Sequence, residues 1–201
     1  CRVPERVTLP TIREVQQALA LLRAQCPGVE FEAVIIDVKA AHRRMKVCES
    51  EGGLQFVQLE GVLYRYLTCS FGARWSSYWW GRVAAALTRI LHAVLRRMRC
   101  LCTYVDDLIL IAPKQDIWTA TMFALALLSS LGCPLSWHKL RVGPIVPYLG
   151  FLVDVSRGAV GVDEWKLVRV EGFLNGLWLR RRLHMKTLER GIGLLLWLSW
   201  V

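Results

Sequence analysis

Three aspartates are the residues of this sequence best suited to carry out chemistry. Asp106 and Asp107 are adjacent, with apolar residues on both sides, and Asp37 lies near the end of another apolar segment. Two neighbouring carboxylates repel each other and resist desolvation unless a cation neutralises them. If the two segments meet in space, the three side chains offer the hard oxygen ligands that Mg²⁺ binds, with positions left for phosphate oxygens.

Such a site would suit phosphoryl transfer. Two Mg²⁺ ions about 4 Å apart can hold the attacking and the leaving oxygen of an in-line displacement. The alternative is that Asp106 and Asp107 form an exposed turn and that Asp37 caps another element. The apolar residues around the acidic pair favour the cation site.

The charge balance indicates the type of partner. The chain of 201 residues has 26 Lys and Arg against 16 Asp and Glu, a formal net charge of +10 and a pI near 9.6. This balance favours a polyanion such as nucleic acid, or an anionic membrane face. Together with acids at strand ends, it predicts an enzyme that acts on nucleotides.

Composition also bounds the class and the compartment. With 54% hydrophobic residues the chain can bury a core, which excludes a disordered protein. The seven cysteines are scattered and lack the C-x-x-C spacing of zinc and disulfide sites. We therefore expect reduced thiols in an intracellular protein of the cytoplasm or nucleus.

No signal peptide is visible, and the start without Met leads us to expect a fragment of a longer chain.

One apolar run resembles a membrane span. Segment 117–137 has no charged residue, but Gly132 and Pro134 interrupt it. Its uninterrupted helical part would reach only about 22 Å, against about 30 Å of hydrocarbon. We expect a buried helix and no membrane partner.

The elements that position the aspartates follow from periodicity and turn residues. Thr11 and Glu14 form a capping-box pattern before a helix that ends near Cys26. A buried strand over 31–38 contains Asp37, and a hairpin over 101–111 has the acidic pair at its tip. The other predicted elements are two strands within 54–68, helices over 74–99 and 117–131, a hairpin of 148–155 with 159–162, and helices over 163–182 and from about 186. This irregular order predicts the α+β class around an antiparallel sheet.

Several segments resemble the motifs of reverse transcriptases. Segment 104–108, Tyr-Val-Asp-Asp-Leu, resembles the catalytic hairpin of their palm, and segment 36–44 resembles the motif of the first catalytic aspartate. Segments 70–77, 131–139 and 147–151 are similar to the Phe-Gly loop, the later segment that ends in a lysine, and the primer-grip hairpin. The resemblance runs from about Thr8 to the end of the chain, and points most closely to the retrotransposon type. It implies a polymerase palm with partial fingers over 1–162, its antiparallel sheet backed by helices, and the start of a helical thumb over 163–201.

The resemblance implies the roles of the acidic residues. The reaction would be attack of a primer 3′-hydroxyl on the α-phosphate of a deoxynucleotide, directed by an RNA or DNA template. Asp37, Asp106 and Asp107 would be catalytic and would hold two Mg²⁺ ions, which Mn²⁺ could replace, with the Val38 carbonyl as a further ligand. Lys139 would lie near the leaving pyrophosphate as a charge stabiliser or proton donor.

The resemblance also implies contacts with nucleotide and nucleic acid. Phe71 and Gly72 would pack around the incoming nucleotide. His42 stands where the family usually has an aromatic residue that excludes the ribose 2′-hydroxyl. The implied contacts with primer and template are Tyr104, Tyr148, Leu149, Gly150, Arg180, Arg181 and Arg182.

The aromatic cluster at the start of the long helix has two interpretations. Its members are Trp75, Tyr78, Trp79 and Trp80. They could stack on bases, as in single-strand binders. Aromatic residues at a helix start are more often core residues, which is the interpretation we favour here.

Two other functions remain open from the sequence. An RNA-dependent RNA polymerase would use the same chemistry, but such enzymes commonly have a glycine before the acidic pair, where this chain has Val105. The other is a degenerate, non-catalytic nucleic-acid-binding relic of a polymerase. It stays open because the family's basic fingers residues are expected before Thr8, so that activity of the fragment by itself is not assured.

Overall fold

The computed structural model describes residues 8–70, 72–95, 100–179 and 184–199. In chain order these residues form α1 (Ile12–Gln25), β1 (Phe31–Asp37), β2 (Phe56–Leu59), β3 (Val62–Arg65), α2 (Arg74–Val94), β4 (Cys100–Tyr104), β5 (Asp107–Pro113), α3 (Ile117–Ser130), β6 (Arg141–Gly143), β7 (Ile145–Tyr148), β8 (Phe151–Asp154), β9 (Ala159–Val162), α4 (Glu164–Leu179) and α5 (Met185–Leu198). Phe71 and Arg180, Arg181 and Arg182 lie outside the described residues.

The first helix begins where its sequence signal indicates. The Thr11 side chain accepts a hydrogen bond from the Arg13 N–H, and Glu14 accepts one from the Thr11 N–H at 2.7 Å. Both halves of the predicted capping box are therefore present, which satisfies N–H groups that a helix start leaves without partners.

The central sheet has the strand order β4-β5-β1-β6, and each neighbouring pair is antiparallel. Alternate residues of β1 and β5 face two different cores. Ala33 and Ile109 pack with α1 and with β7 and β8 on one face. Val34 and Leu110 pack with α2 and α3 on the other. Both strands are thus covered on both sides, which explains their nearly continuous apolar sequences.

The predicted α+β class is confirmed, and α3 is a helix of the core. Its residues Ile117, Ala120, Ala124 and Leu128 are fully buried against the sheet. Within the part of the chain that the structure describes, no helix is both long and apolar enough to cross a membrane.

The hairpin expected over 148–155 and 159–162 is present as β8 paired with β9, but its first strand begins at Phe151 and not at Tyr148. Tyr148 ends β7, whereas Phe151 begins β8, and β9 completes a three-stranded sheet. Leu149 and Gly150 form the intervening turn with φ of 51° and 85°. Positive φ at both central residues is the two-residue turn that matches strand twist, so it ends one strand and starts another.

The division at residue 162 into palm and thumb stays a prediction. The boundary falls between β9 and α4.

Candidate active site

Strand register brings two of the three aspartates together. Antiparallel pairing of β1 with β5 places Asp37 directly opposite Asp107. Their carboxyl groups are close enough to share a hydrogen bond, and Asp107 is also paired with Tyr104 across the β4–β5 hairpin. Asp106 lies in the hairpin turn, where its charge acts on Asp107. The sheet therefore gathers the acidic side chains at one end.

The hairpin turn is fastened from two sides. The Val38 N–H donates to the Asp106 carbonyl at 2.9 Å, which ties the turn to the end of β1. The Trp80 indole N–H donates to the Val105 carbonyl at 2.7 Å, which ties it to α2. Both carbonyls of the turn are thus engaged by other elements of the fold.

Lys139 contacts the first aspartate. Its Nζ donates to Asp37 Oδ2 at 2.6 Å, and the lysine side chain is 54% exposed whereas that of Asp37 is 4% exposed. The segment before Lys139 is held to β1, because the Ser136 N–H donates to the Asp37 carbonyl at 2.9 Å and the Lys39 N–H donates to the Pro134 carbonyl at 2.8 Å. The site therefore includes a cation whose position near a leaving pyrophosphate stays a prediction.

The carboxyl groups differ in their protonation. Burial, followed by repulsion from Asp106 and Asp37, raises the pKa of Asp107 to about 6. Burial acts to raise the pKa of Asp37 as well, but hydrogen bonds from Lys139 and Ser136 outweigh it and hold the value below the ordinary range. The Asp37 hydrogen bond in turn raises the pKa of Lys139. Below about pH 6, then, Asp107 holds a proton that it can donate to ionised Asp37, whereas near neutral pH Asp107 is mostly ionised.

The ligand chemistry fits a divalent metal ion. The charges of Asp37, Asp106 and Asp107 all act on the Lys139 ammonium, and repulsion from Asp106 and Asp37 adds to burial in raising the pKa of Asp107. The backbone hydrogen bonds that join this segment to Pro134 and Ser136 are made by the Asp37 carbonyl and the Lys39 N–H. The Val38 carbonyl takes part in neither of them. Among the described residues, however, no three His, Cys, Asp or Glu side chains form a preformed metal cluster. Side-chain reorientation would accompany metal binding.

The residues implied for nucleotide binding lie around the start of α2. His42 follows β1 in a short 3₁₀ turn and is 7% exposed, with its Nδ1 3.3 Å from the Ser76 carbonyl. Gly72 is exposed and has φ of 88°. The steric role of His42 and the nucleotide contact of Gly72 stay predictions.

Tyr148 is a core residue rather than a surface contact. It is 2% exposed, and its buried hydroxyl has no hydrogen-bond partner among the described residues. Burial raises its pKa far above the ordinary value. The Tyr148 ring lies in the core cluster and offers almost no exposed surface to a primer or template, and the implied contact stays a prediction. Tyr104 is partly buried against the same core.

The turn after Tyr148 contacts the last two helices. The Leu149 carbonyl accepts a hydrogen bond from the Trp197 indole at 3.0 Å, and the Gly150 carbonyl accepts one from Lys166. Trp197 also stacks on Phe151 with ring centroids 4.2 Å apart. The predicted primer contacts at Leu149 and Gly150 thus lie beside α4 and α5, and their role stays a prediction.

Sequence reasoning did not predict three contacts around the site. Trp80 binds the hairpin turn, Ser136 binds Asp37, and Trp197 binds the turn after Tyr148. For Trp80 a signal was available, because a buried indole N–H needs an acceptor. The aromatic cluster was interpreted as core, and Tyr78 and Trp80 are indeed buried at 6% and 3% exposure, whereas Trp79 is half exposed.

Comparison with known proteins gives structural neighbours only, since no family model and no curated protein matches the chain. Foamy viral protease-reverse transcriptase with an RNA/DNA hybrid has a TM-score of 0.63 and 14% identity, over 81% of this chain and 20% of that chain. The same viral protein with dsDNA has a TM-score of 0.60 and 16% identity, over 82% of this chain and 32% of that chain. Telomerase from Candida albicans, with a fragment of telomeric RNA, has a TM-score of 0.60 and 13% identity, over 79% of this chain and 35% of that chain.

The TM-scores establish a likeness of fold, and at such low sequence identity the likeness extends to the fold alone. The chain spans between a fifth and about a third of the length of these neighbours. The described residues therefore form an α+β fold like that of reverse transcriptases and telomerase.

Proposed function

We propose that this chain is the catalytic core of an RNA-directed DNA polymerase of the retroelement type. The observation that carries the proposal is the pairing of Asp37 with Asp107 at the end of two buried strands, with Asp106 in the adjoining turn. Carboxylates are costly at the end of such strands unless a ligand balances their charge. A metal ion that also binds phosphate would do so.

The reaction forms a bond between the primer 3′-oxygen and the α-phosphorus of a deoxynucleoside triphosphate, while the bond to the pyrophosphate oxygen breaks. Asp37, Asp106 and Asp107, with the Val38 carbonyl, would hold Mg²⁺ or Mn²⁺, which supplies charge stabilisation for the phosphoryl oxygens. Ionised Asp37 holds Lys139 in its charged form at the site. From there the ammonium can stabilise the departing oxygen or donate a proton.

The net charge of +10 supports a primer–template partner, because phosphate contacts need basic residues. The neighbours with a similar fold were solved with an RNA/DNA hybrid, with dsDNA and with telomeric RNA. The intracellular location expected from the cysteines belongs to the same proposal.

A second candidate is a nucleic-acid-binding relic without catalysis. The absence of a preformed three-residue metal cluster within the described ranges favours it, as does the contact that Lys139 makes with Asp37. Both observations are also compatible with a site that closes on metal and nucleotide together.

Primer extension separates these functions. The purified chain is incubated with a labelled primer on RNA or DNA template, Mg²⁺ or Mn²⁺, and either deoxy- or ribonucleotides. The proposal predicts extension with deoxynucleotides on RNA, and loss of extension in Asp106→Asn, since an amide cannot replace the charge that holds the ion. Asp116→Asn, which changes an acid just before α3, is the matched control and keeps activity.

The other outcomes identify the alternatives. Preferential use of ribonucleotides would indicate an RNA polymerase. Binding of primer–template without extension under every condition, also in a chain that carries the basic fingers residues expected before Thr8, would leave the relic as the function of this chain.

A further inference from the structure

The catalytic hairpin turn contains a residue in an unfavourable backbone conformation. Val105 has φ of 55°, in the left-handed region. A β-branched side chain is rarely found there, because its Cβ substituents crowd the backbone. Such conformations persist only where the surrounding structure holds them. Val105 directly precedes Asp106, so whatever holds its backbone also directs the acidic pair.

One side chain makes the contact that holds this residue from the helix side. Trp80 is 3% exposed, and its indole N–H donates to the Val105 carbonyl at 2.7 Å. The Val105 side chain packs against the small cluster that contains Trp80, Val38 and Ala84. The indole therefore binds the Val105 carbonyl and belongs to the cluster against which the Val105 side chain packs.

The next residue of the turn is held from the other side. The Asp106 carbonyl accepts from the Val38 N–H at 2.9 Å. If the peptide that carries the Val105 carbonyl rotates, the Asp106 backbone moves with it, because the two carbonyls belong to consecutive residues. A fixed Val105 carbonyl thus supports the hydrogen bond between the Val38 N–H and the Asp106 carbonyl.

We propose that Trp80 is a positioning residue for the acidic pair: its indole N–H fixes Val105 in the left-handed conformation and so sets the direction of Asp106 and Asp107. Trp80 acts through the backbone of the turn. The consequence for catalysis rests on the proposed polymerase function, whereas the consequence for the turn does not.

The test removes the N–H while keeping the shape of the ring. Trp80 is replaced by 3-benzothienylalanine, which has sulfur in place of the indole nitrogen and donates no hydrogen bond there. The readout is hydrogen exchange of the Val38 amide, whose acceptor is the Asp106 carbonyl. A single hydrogen bond is worth about two- to tenfold in an opening equilibrium, so the exchange of this amide should accelerate by about that factor. The same replacement at half-exposed Trp79 is the matched control, and should leave the exchange unchanged.

A second variant separates the hydrogen bond from general loosening of the core. Glycine adopts positive φ about as readily as negative φ, so Val105→Gly removes the need for the conformation to be held. In that background the replacement at Trp80 should accelerate Val38 exchange less than it does in the natural chain. Equal acceleration in both backgrounds, or none in either, would overturn the proposal.

Activity provides the separate catalytic arm. If the natural chain extends primers, the replacement at Trp80 should lower kcat, by up to about 100-fold for a misplacement near 1 Å. The KM for primer–template should be unchanged, because Trp80 is buried. Unchanged kcat together with faster Val38 exchange would overturn the catalytic part. A chain that extends no primer even when it carries the basic fingers residues expected before Thr8 would refute the polymerase function, while the exchange measurements would still decide whether Trp80 holds the turn.

Discussion

Replacing Asp107 by asparagine should stabilise the metal-free protein at neutral and higher pH. The folded structure raises the pKa of this carboxyl from 3.8 to about 6, by burial and by repulsion from Asp106 and Asp37. Between these values the folded state binds a proton that the unfolded state has released, so stability falls as the pH rises through that window. Asn cannot ionise, and its amide can donate to Asp37 as protonated Asp107 does.

The magnitude follows from the two pKa values. Their difference, at about 1.36 kcal/mol for each pH unit, corresponds to about 3 kcal/mol when Asp107 is fully ionised. Solvent access to the half-buried side chain makes this an upper value. We therefore expect Asp107→Asn to increase the free energy of unfolding by up to about 3 kcal/mol at pH 8. Near pH 4 the increase should be small, because the folded state is then almost fully protonated at this position and the unfolded state, with its pKa of 3.8, is close to half protonated.

Urea unfolding in the presence of a chelator measures the free energy of unfolding at pH 4 and at pH 8. Asp154→Asn is a control with the opposite sign, because the Ser156 hydroxyl at 2.6 Å and the Arg157 N–H at 3.0 Å hold the pKa of Asp154 below its ordinary value. That substitution should destabilise at pH 8 and have less effect as the pH falls below the Asp154 pKa. An Asp107→Asn effect that is the same at pH 4 and pH 8, or destabilising at pH 8, would refute the assigned repulsion.

Gly191→Ala should destabilise by about 1–3 kcal/mol or more, because its Cβ would lie 1.9 Å from Phe173 Cζ. Gly193→Ala on the same helix meets nothing within 4 Å and should stabilise by up to about 1 kcal/mol in thermal unfolding. His42→Ala should raise the use of ribonucleotides relative to deoxynucleotides, and an unchanged ratio would remove its steric role. Primer–template affinity, measured by anisotropy, should fall steeply with salt and depend little on sequence; a flat dependence would contradict phosphate binding by the basic excess.

Local sequence signals were sufficient for most individual elements. Thr11 and Glu14 mark the start of α1, and the observed helix begins at Ile12. The apolar segments before Asp37 and after Asp107 became β1 and β5, with Asp106 in the hairpin turn and Asp107 at the first position of β5. Capping, turn formation and burial periodicity each depend on residues only a few positions apart, so a sequence displays them directly.

The sequence predicted strand boundaries less well where the end of one strand and the start of the next lie in one continuous segment. The turn at Leu149 and Gly150 was placed inside a strand, because only Gly150 favours positive φ while Leu149 does not. For Tyr148 the resemblance to the primer-grip hairpin implied a contact with primer or template. Its position in β7 points the ring into the core, because side chains alternate between the two faces of a strand.

The chemistry of the site was decided by tertiary structure. The sequence determined that three acids and Lys139 are present and that the acids stand at strand ends or turns. Only the register of β1 against β5 placed Asp37 opposite Asp107, and only the contact of segment 134–139 with β1 brought Lys139 to Asp37. The raised pKa of Asp107 and the hold of Trp80 on Val105 follow from those approaches. Charge repulsion, desolvation and hydrogen bonding act over a few ångströms in space, whatever the separation along the chain, so they exist only once the strands have paired.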